Sequence, residues 1–119
     1  MKDYAQGNEL FRTYFKKNKE SLLELVSSGQ SPKALFIGCS DSRVIPDLMV
    51  QSSPGDLFVI RNVGNFVPPY KPDEDFHSTA SGIEYAVSVL NVKEVIICGH
   101  THCGACQHLF EPIEDPSLI

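Results

Sequence analysis

The segment CSDSR carries Cys39, Asp41 and Arg43, and the downstream segment GHTHCG carries His100 and Cys103. Together they supply two thiols, an imidazole and a carboxylate–guanidinium pair. Two thiolates and one imidazole form a ligand set for zinc, and a zinc ion with three protein ligands keeps a fourth position for water. A structural zinc would close that position with a fourth Cys or His. The inventory therefore reads as a metal site that does chemistry. On residue types alone, His102 also lies close to Cys103 and competes with His100 for the role.

Each of these residues also has a plainer reading. Cys103 and Cys106 form C-x-x-C, the spacing of redox pairs, but a thioredoxin-like motif stands near the start of a chain beside its first strand. Cys98 falls within an apolar run and reads as a small buried hydrophobe. Asp41 and Arg43 alone would form a solvated ion pair. Arg61 would brace the sheet or pair across an interface. His77 and His108 read as surface residues, with His108 a proton shuttle if it faces the site.

Positioning the reactive groups requires a frame. Over residues 8–28, Leu10, Phe11, Tyr14, Phe15, Leu22, Leu23, Leu25 and Val26 recur near helical spacing with charged residues between them, which predicts one helix. Gly29 is suited to end it. Ser31-Pro32 then precedes three short apolar runs, ALFIG at 34–38, LFVI at 57–60 and EVIICG at 94–99, each long enough for a buried strand. A Pro-rich loop from Val67 to Asp75 and a helix from about Ser78 to Leu90 lie between the second and third runs. Ser81 with Glu84 fits a capping box for that helix, and Ser78 or Thr79 are alternative caps.

Strands that alternate with helices and read as continuous apolar runs predict an α/β fold, a mostly parallel β-sheet flanked by helices and covered on both faces. Ligands of such sheets gather beyond the carboxyl ends of the strands. The polar clusters fall there: Cys39 to Arg43 after the first strand, Arg61-Asn62 after the second, His100 to Cys103 after the third. If the chain stays extended past the first strand, its period of two puts Cys39, Asp41 and Arg43 on one side.

Composition narrows the function classes. The chain has 119 residues, enough for one domain that buries about 60% of its unfolded surface or slightly more. Fifteen acidic against 10 basic residues give a net charge of −5, a poor balance for gripping phosphate backbones, so no nucleic-acid partner is expected. No apolar run is long enough to span a bilayer and the start, MKDYAQGNELF, lacks the apolar stretch of a signal peptide, so no membrane partner is expected either. The expected compartment is the cytoplasm, with the four cysteines reduced.

ALFIGCSDSRV, GDLFVIRNVGN and EVIICGHTHCGAC, in this order, closely resemble the β-class carbonic anhydrases, and STASGIEYAVSVL resembles a helix of theirs. The likeness runs from about Gln30 to Cys106. C-x-D-x-R combined with H-x-x-C-G is far more specific than either half. The resemblance implies Zn2+ bound by Cys39, His100 and Cys103, with Asp41 and Arg43 as a catalytic dyad beside the metal. It implies reversible hydration of carbon dioxide to bicarbonate and a proton. Asp41 would orient the attacking oxygen by accepting its hydrogen bond, and Arg43 would hold that carboxylate. Zinc lowers the pKa of bound water to about 7 in three-histidine sites, and two thiolates should acidify it less, which favours alkaline activity.

By the same resemblance, Gln30 donates to a substrate oxygen, often across a subunit boundary, and Phe58, Val63 and Tyr85 line an apolar pocket for carbon dioxide. The backbone N–H of Gly104 would approach the substrate. Asp41 is the candidate switch that swings onto the metal in closed, inactive family members. The subgroup closed by bicarbonate carries a tryptophan three positions before the first ligand cysteine, where this chain has Phe36, a departure that argues against such regulation.

Residues 1–119 then form a single, partial domain, with 1–29 as an N-terminal helix or arm and 30–106 as the zinc-site core. Family members continue past H-x-x-C with a helix and another strand, so the domain is expected to be truncated at its C-terminus. A homodimer or higher homo-oligomer is the expected assembly. A catalytically inert, truncated zinc-binding subunit and a hydrolase of carbon disulfide or carbonyl sulfide are the alternative functions for the same residues.

Overall fold

The computed structural model describes residues 3–112, 114, 115 and 117. The chain divides into two compact units, Met1–Ser31 and Pro32–Ile119.

The N-terminal unit is a pair of helices rather than the single helix predicted over 8–28. The first, α1, spans Tyr4–Lys17 and the second, α2, spans Lys19–Ser27. Asp3 starts α1, its carboxylate accepting from the backbone N–H of Ala5 (2.9 Å) and Gln6 (3.3 Å). Lys16 and Lys17 sit in the last turn, where the helix dipole favours positive charge. The break is at Asn18, which leaves helical geometry and donates its side-chain amide to the Tyr14 carbonyl oxygen at 2.9 Å. Asparagine offers the backbone an alternative partner in this way, which a count of apolar spacing does not register. Gly29 ends the unit at φ +74°, the left-handed geometry expected of it.

The second unit is built on three parallel strands, β1 (Ala34–Cys39), β2 (Leu57–Asn62) and β3 (Glu94–Cys98), in the order β2-β1-β3. The short helix α3 (Pro46–Val50) connects β1 to β2. Helix α4 (Ser78–Glu84) connects β2 to β3 and widens into a π turn over Tyr85–Val89. A last short helix, α5, spans Gly104–His108. The α/β class, the parallel sheet and the flanking helices agree with expectation.

The core gathers around β1, in which every residue is buried. Leu35 and Ile37 pack with Ala86, flanked by Phe58, Ile60, Ile83 and Val92. Fully burying Leu35 or Ile37 contributes about 1.5–3 kcal/mol each. The sheet is not covered on both faces along its whole width. Val59 on β2 is 39% exposed, and Val95 and Ile97 on β3 are 51% and 57% exposed. Among the described residues each of these strands has only β1 as a neighbour, so an apolar run there does not guarantee burial. Cys98 is accordingly half-buried rather than fully buried.

The expected capping box also fails. His77 occupies the N-cap of α4 with no side-chain cap bond, and its Nε2 meets Asp73 Oδ1 at 2.7 Å instead. Ser81 and Glu84 lie inside the helix. The hydroxyl oxygen of Thr79, one of the alternatives, accepts from Asn62 Nδ2 at 3.3 Å instead.

Candidate metal centre

The strand order places β3 beside β1 on the side opposite β2, so the connection out of β1 runs to one side and the next, out of β2, crosses past β1 to the other. Such a switch point opens a crevice beyond the carboxyl ends of the two strands that flank it. Cys39 is the last residue of β1, and His100 and Cys103 follow the end of β3. Sequence segments more than half a chain apart thus meet in one crevice because of topology.

One ligand atom from each of Cys39, His100 and Cys103 lies within 4.8 Å of the other two. The two sulfur atoms are 3.9 Å apart, far beyond a disulfide bond and close to the roughly 3.8 Å that two zinc–sulfur bonds of about 2.3 Å span at a tetrahedral angle. His100 Nδ1 faces the Thr101 carbonyl oxygen at 2.9 Å. A carbonyl can only accept, so Nδ1 carries the proton and Nε2 presents its lone pair. That Nε2 is buried and, among the described residues, has no hydrogen-bond partner. An orphaned imidazole nitrogen facing two thiols is a costly arrangement without an ion and a satisfied one with it. The donor set therefore fits a zinc ion. His102 is exposed and its side chain is absent from the set; its φ of +56° turns the loop, and its carbonyl oxygen accepts from Arg43 Nη2 at 3.0 Å.

Cys39 is prepared as a thiolate. Its sulfur accepts the backbone N–H groups of Asp41 and Gly64, each at 3.4 Å. The Asp41 N–H is the chief influence holding the thiol down to about 7 from 9.0, against the upward push of burial, with help from His100, Gly64 and Cys103. Cys106 moves the other way: the Cys103 side chain and burial push its thiol up. All four cysteines are free.

The Cys39 value has a measurable consequence. Above pH about 7 this thiol has no proton for a metal to displace; below it, binding must expel one. Zinc affinity is expected to fall at least about tenfold per pH unit below pH 7, as read by competition with a chromophoric chelator. An affinity flat between pH 7 and 5 would contradict the assignment.

Asp41 and Arg43 do not reach the site by strand alternation. β1 ends at Cys39, and the chain turns immediately, the Val44 N–H donating to the Asp41 carbonyl oxygen at 3.0 Å. Within that turn Asp41 Oδ1 accepts both the backbone N–H and the Nε–H of Arg43, each at 2.9 Å, while Oδ2 accepts Nη2 at 2.6 Å. The Arg43 guanidinium, then its backbone N–H, hold the Asp41 carboxyl far below the usual carboxylate range. The group is an acceptor only. Oδ1 has both lone pairs engaged and Oδ2 only one. Oδ2 is also the oxygen that lies 3.9 Å from His100 Nε2, so the free acceptor direction belongs to the oxygen nearest the metal ligands.

A cavity of about 280 Å³ opens here, lined by Cys39, Ser40, Asp41, Val63, Cys103 and Gly104, with Ala105. Val63 and Gly104 thus line it. Phe58 and Tyr85 face each other instead, ring centroids 5.8 Å apart, with Phe58 packed against the core of Leu35, Ile37 and Ala86. Gln30 is exposed and belongs to the N-terminal unit. His108 bonds the Gly104 carbonyl oxygen within its own helix and sits 3.4 Å from Glu111.

Sequence reasoning passed over Gly64 as a donor to Cys39. Its φ of +90°, followed by Asn65 at +49°, bends the chain after β2 so that the amide meets the sulfur. The Val-Gly-Asn run was the available signal, a turn-former directly after a strand.

The family model described as carbonic anhydrase matches residues 34–118. The carbonic anhydrase of Synechococcus elongatus is 43% identical over 111 residues, covering 93% of this chain and 40% of that protein. That of Pseudomonas aeruginosa is 46% identical over 105 residues, covering 88% and 47%. Among solved structures, the β-carbonic anhydrase CcaA superposes with a TM-score of 0.80 at 47% identity over 89% of this chain and 47% of its own. One of the tetrameric β-carbonic anhydrases of Sordaria macrospora gives 0.75 at 36% identity over 97% and 57%. The chain spans less than half the length of the curated relatives it matches. By fold, by the matched segment and by these relatives, it belongs to the carbonic anhydrase family, in its β class.

Proposed function

We propose that this chain binds one Zn2+ ion through Cys39, His100 and Cys103 and that the site hydrates carbon dioxide reversibly to bicarbonate and a proton. The observation that carries this reading is the buried, unpartnered His100 Nε2 grouped with two thiols, beside a carboxylate whose one open lone pair faces the same ligands. When bound, zinc supplies a Lewis acid that lowers the pKa of water.

The chain's own residues do the rest. Asp41 accepts an O–H hydrogen bond at Oδ2 and so fixes which lone pair of the attacking oxygen points into the cavity. Arg43 keeps the carboxylate ionised and immobile through three bonds. Val63 and Ala105 give a small, linear, nonpolar substrate an apolar wall, and Gly104 leaves room beside it, since a Cβ there would meet nothing within 4 Å. The ligand thiols require reducing conditions, which suits the cytoplasm. A homodimer or higher homo-oligomer is the assembly we favour, in line with the tetrameric Sordaria relatives. Among the described residues no helix is long and apolar enough to cross a membrane.

Metal content and stopped-flow hydration measured across pH on the same preparation test the reading. About one zinc per folded chain is expected, with turnover rising toward alkaline pH. A full complement of zinc without hydration at any pH would leave an inert zinc-binding subunit as the better description.

A further inference from the structure

We propose that Arg61 is the positioning residue of the metal centre: its guanidinium fixes the arch Cys39–Ser40–Asp41, and through it both a ligand sulfur and the catalytic carboxylate. The inference rests on the zinc reading above for its metal-dependent part, and on geometry alone for the rest.

The last bond between the β1 and β2 backbones at this end runs from Ser40 N–H to the Asn62 carbonyl oxygen, at 2.8 Å. Beyond it no strand holds the chain, yet the next residues must place Asp41. Arg61 supplies the missing constraint. On β2 it is paired with Gly38, so the two residues face the same side of the sheet and the glycine presents no side chain in its way. Arg61 Nε donates to the Cys39 carbonyl oxygen at 3.0 Å and Nη2 to the Asp41 carbonyl oxygen at 2.8 Å. One rigid fork thus grips both ends of a three-residue arch.

Two consequences of that grip meet in the centre. The peptide N–H of Asp41, which belongs to the arch, is the group that donates to Cys39 Sγ. The Asp41 side chain leaves from its far end, toward Arg43. Among the described residues, no carboxylate lies within ion-pair distance of Arg61, so its donors serve the backbone rather than a counter-charge. Lysine keeps the charge but lacks the planar fork, and a point cation cannot reproduce two donors at fixed spacing.

The test compares Arg61→Lys and Arg61→Met with the natural chain by two readouts. In zinc-free protein, the alkylation rate of Cys39 by iodoacetamide, resolved by peptide mass, should rise about tenfold or more in both variants, because a buried thiol is released when its arch loosens. Zinc affinity by chelator competition should fall about ten- to a hundredfold in both, with far-ultraviolet circular dichroism unchanged. Arg61→Lys matching the natural chain in both readouts would overturn the proposal by showing that charge suffices. Unchanged behaviour of both variants would overturn it outright, and so would loss of folded structure in both, which would make Arg61 a general brace. A natural chain that binds no zinc at these residues would sink the functional reading, while the alkylation rates would still decide on Arg61.

Discussion

Replacing Cys39 with serine should abolish metal and turnover together. Zinc affinity is expected to fall by more than about a hundredfold, since losing even an outer-shell partner of a metal site costs about ten- to a hundredfold. Serine offers a hydroxyl that stays protonated where Cys39 is held down to about 7. It is also a shorter side chain, which draws the donor away from a partner sulfur now 3.9 Å distant. The two amides that feed the sulfur, from Asp41 and Gly64, lose their acceptor as well. Metal analysis after dialysis, alongside hydration rates, reads both effects, and the circular dichroism of the zinc-free variant checks that the sheet survives. A serine variant that retained stoichiometric zinc would show that the ion, if any, sits elsewhere.

Asp41→Asn should separate binding from chemistry. Asparagine keeps the size of the side chain but removes the charge that Arg43 grips and places an amide donor where one acceptor oxygen stood. We expect zinc content to remain near that of the natural chain and hydration to fall by about a hundredfold or more, the usual cost of losing one preorganised electrostatic partner. Because Arg43 holds the natural carboxyl far below the usual range, Asp41 does not titrate anywhere near neutrality. Any alkaline rise in activity must therefore belong to another group, and the asparagine variant should keep the shape of the pH profile while lowering its height. Loss of zinc in this variant would mean that Asp41 is a ligand rather than an orienting group.

Much of the frame was readable in the residue string, and the exceptions have physical causes. ALFIG, LFVI and EVIICG announce strands because short apolar runs between turn-formers have few other uses, and all three form, as Ala34–Cys39, Leu57–Asn62 and Glu94–Cys98. Their burial was less legible. It depends on how many neighbours a strand has, and among the described residues only β1 has two. Asn18 splits a helix whose apolar spacing runs straight through it, because one amide finds the Tyr14 carbonyl. His77 takes the cap that Ser81 was expected to hold, since Asp73 orients it from a loop without periodicity.

The site shows the same division. C-x-D-x-R marks residues that do come together, but a turn gathers them where strand alternation was expected. Arg61 was visible as a polar residue at the right rim. Its reach onto the carbonyl that ends the neighbouring strand and onto another in the turn beyond it is a tertiary fact that no local pattern encodes.

The wide separation of the donors along the chain has a thermodynamic outcome. Cys39 and Cys103 stand 64 positions apart, so an ion held between them closes a long loop whose entropic cost rises only slowly with length. Folding brings that trio to one point, so zinc bound as proposed would favour the native state over the unfolded chain and deepen its well by mass action. On the proposed zinc reading, resistance to unfolding should rise with free zinc, and a chelator should lower it.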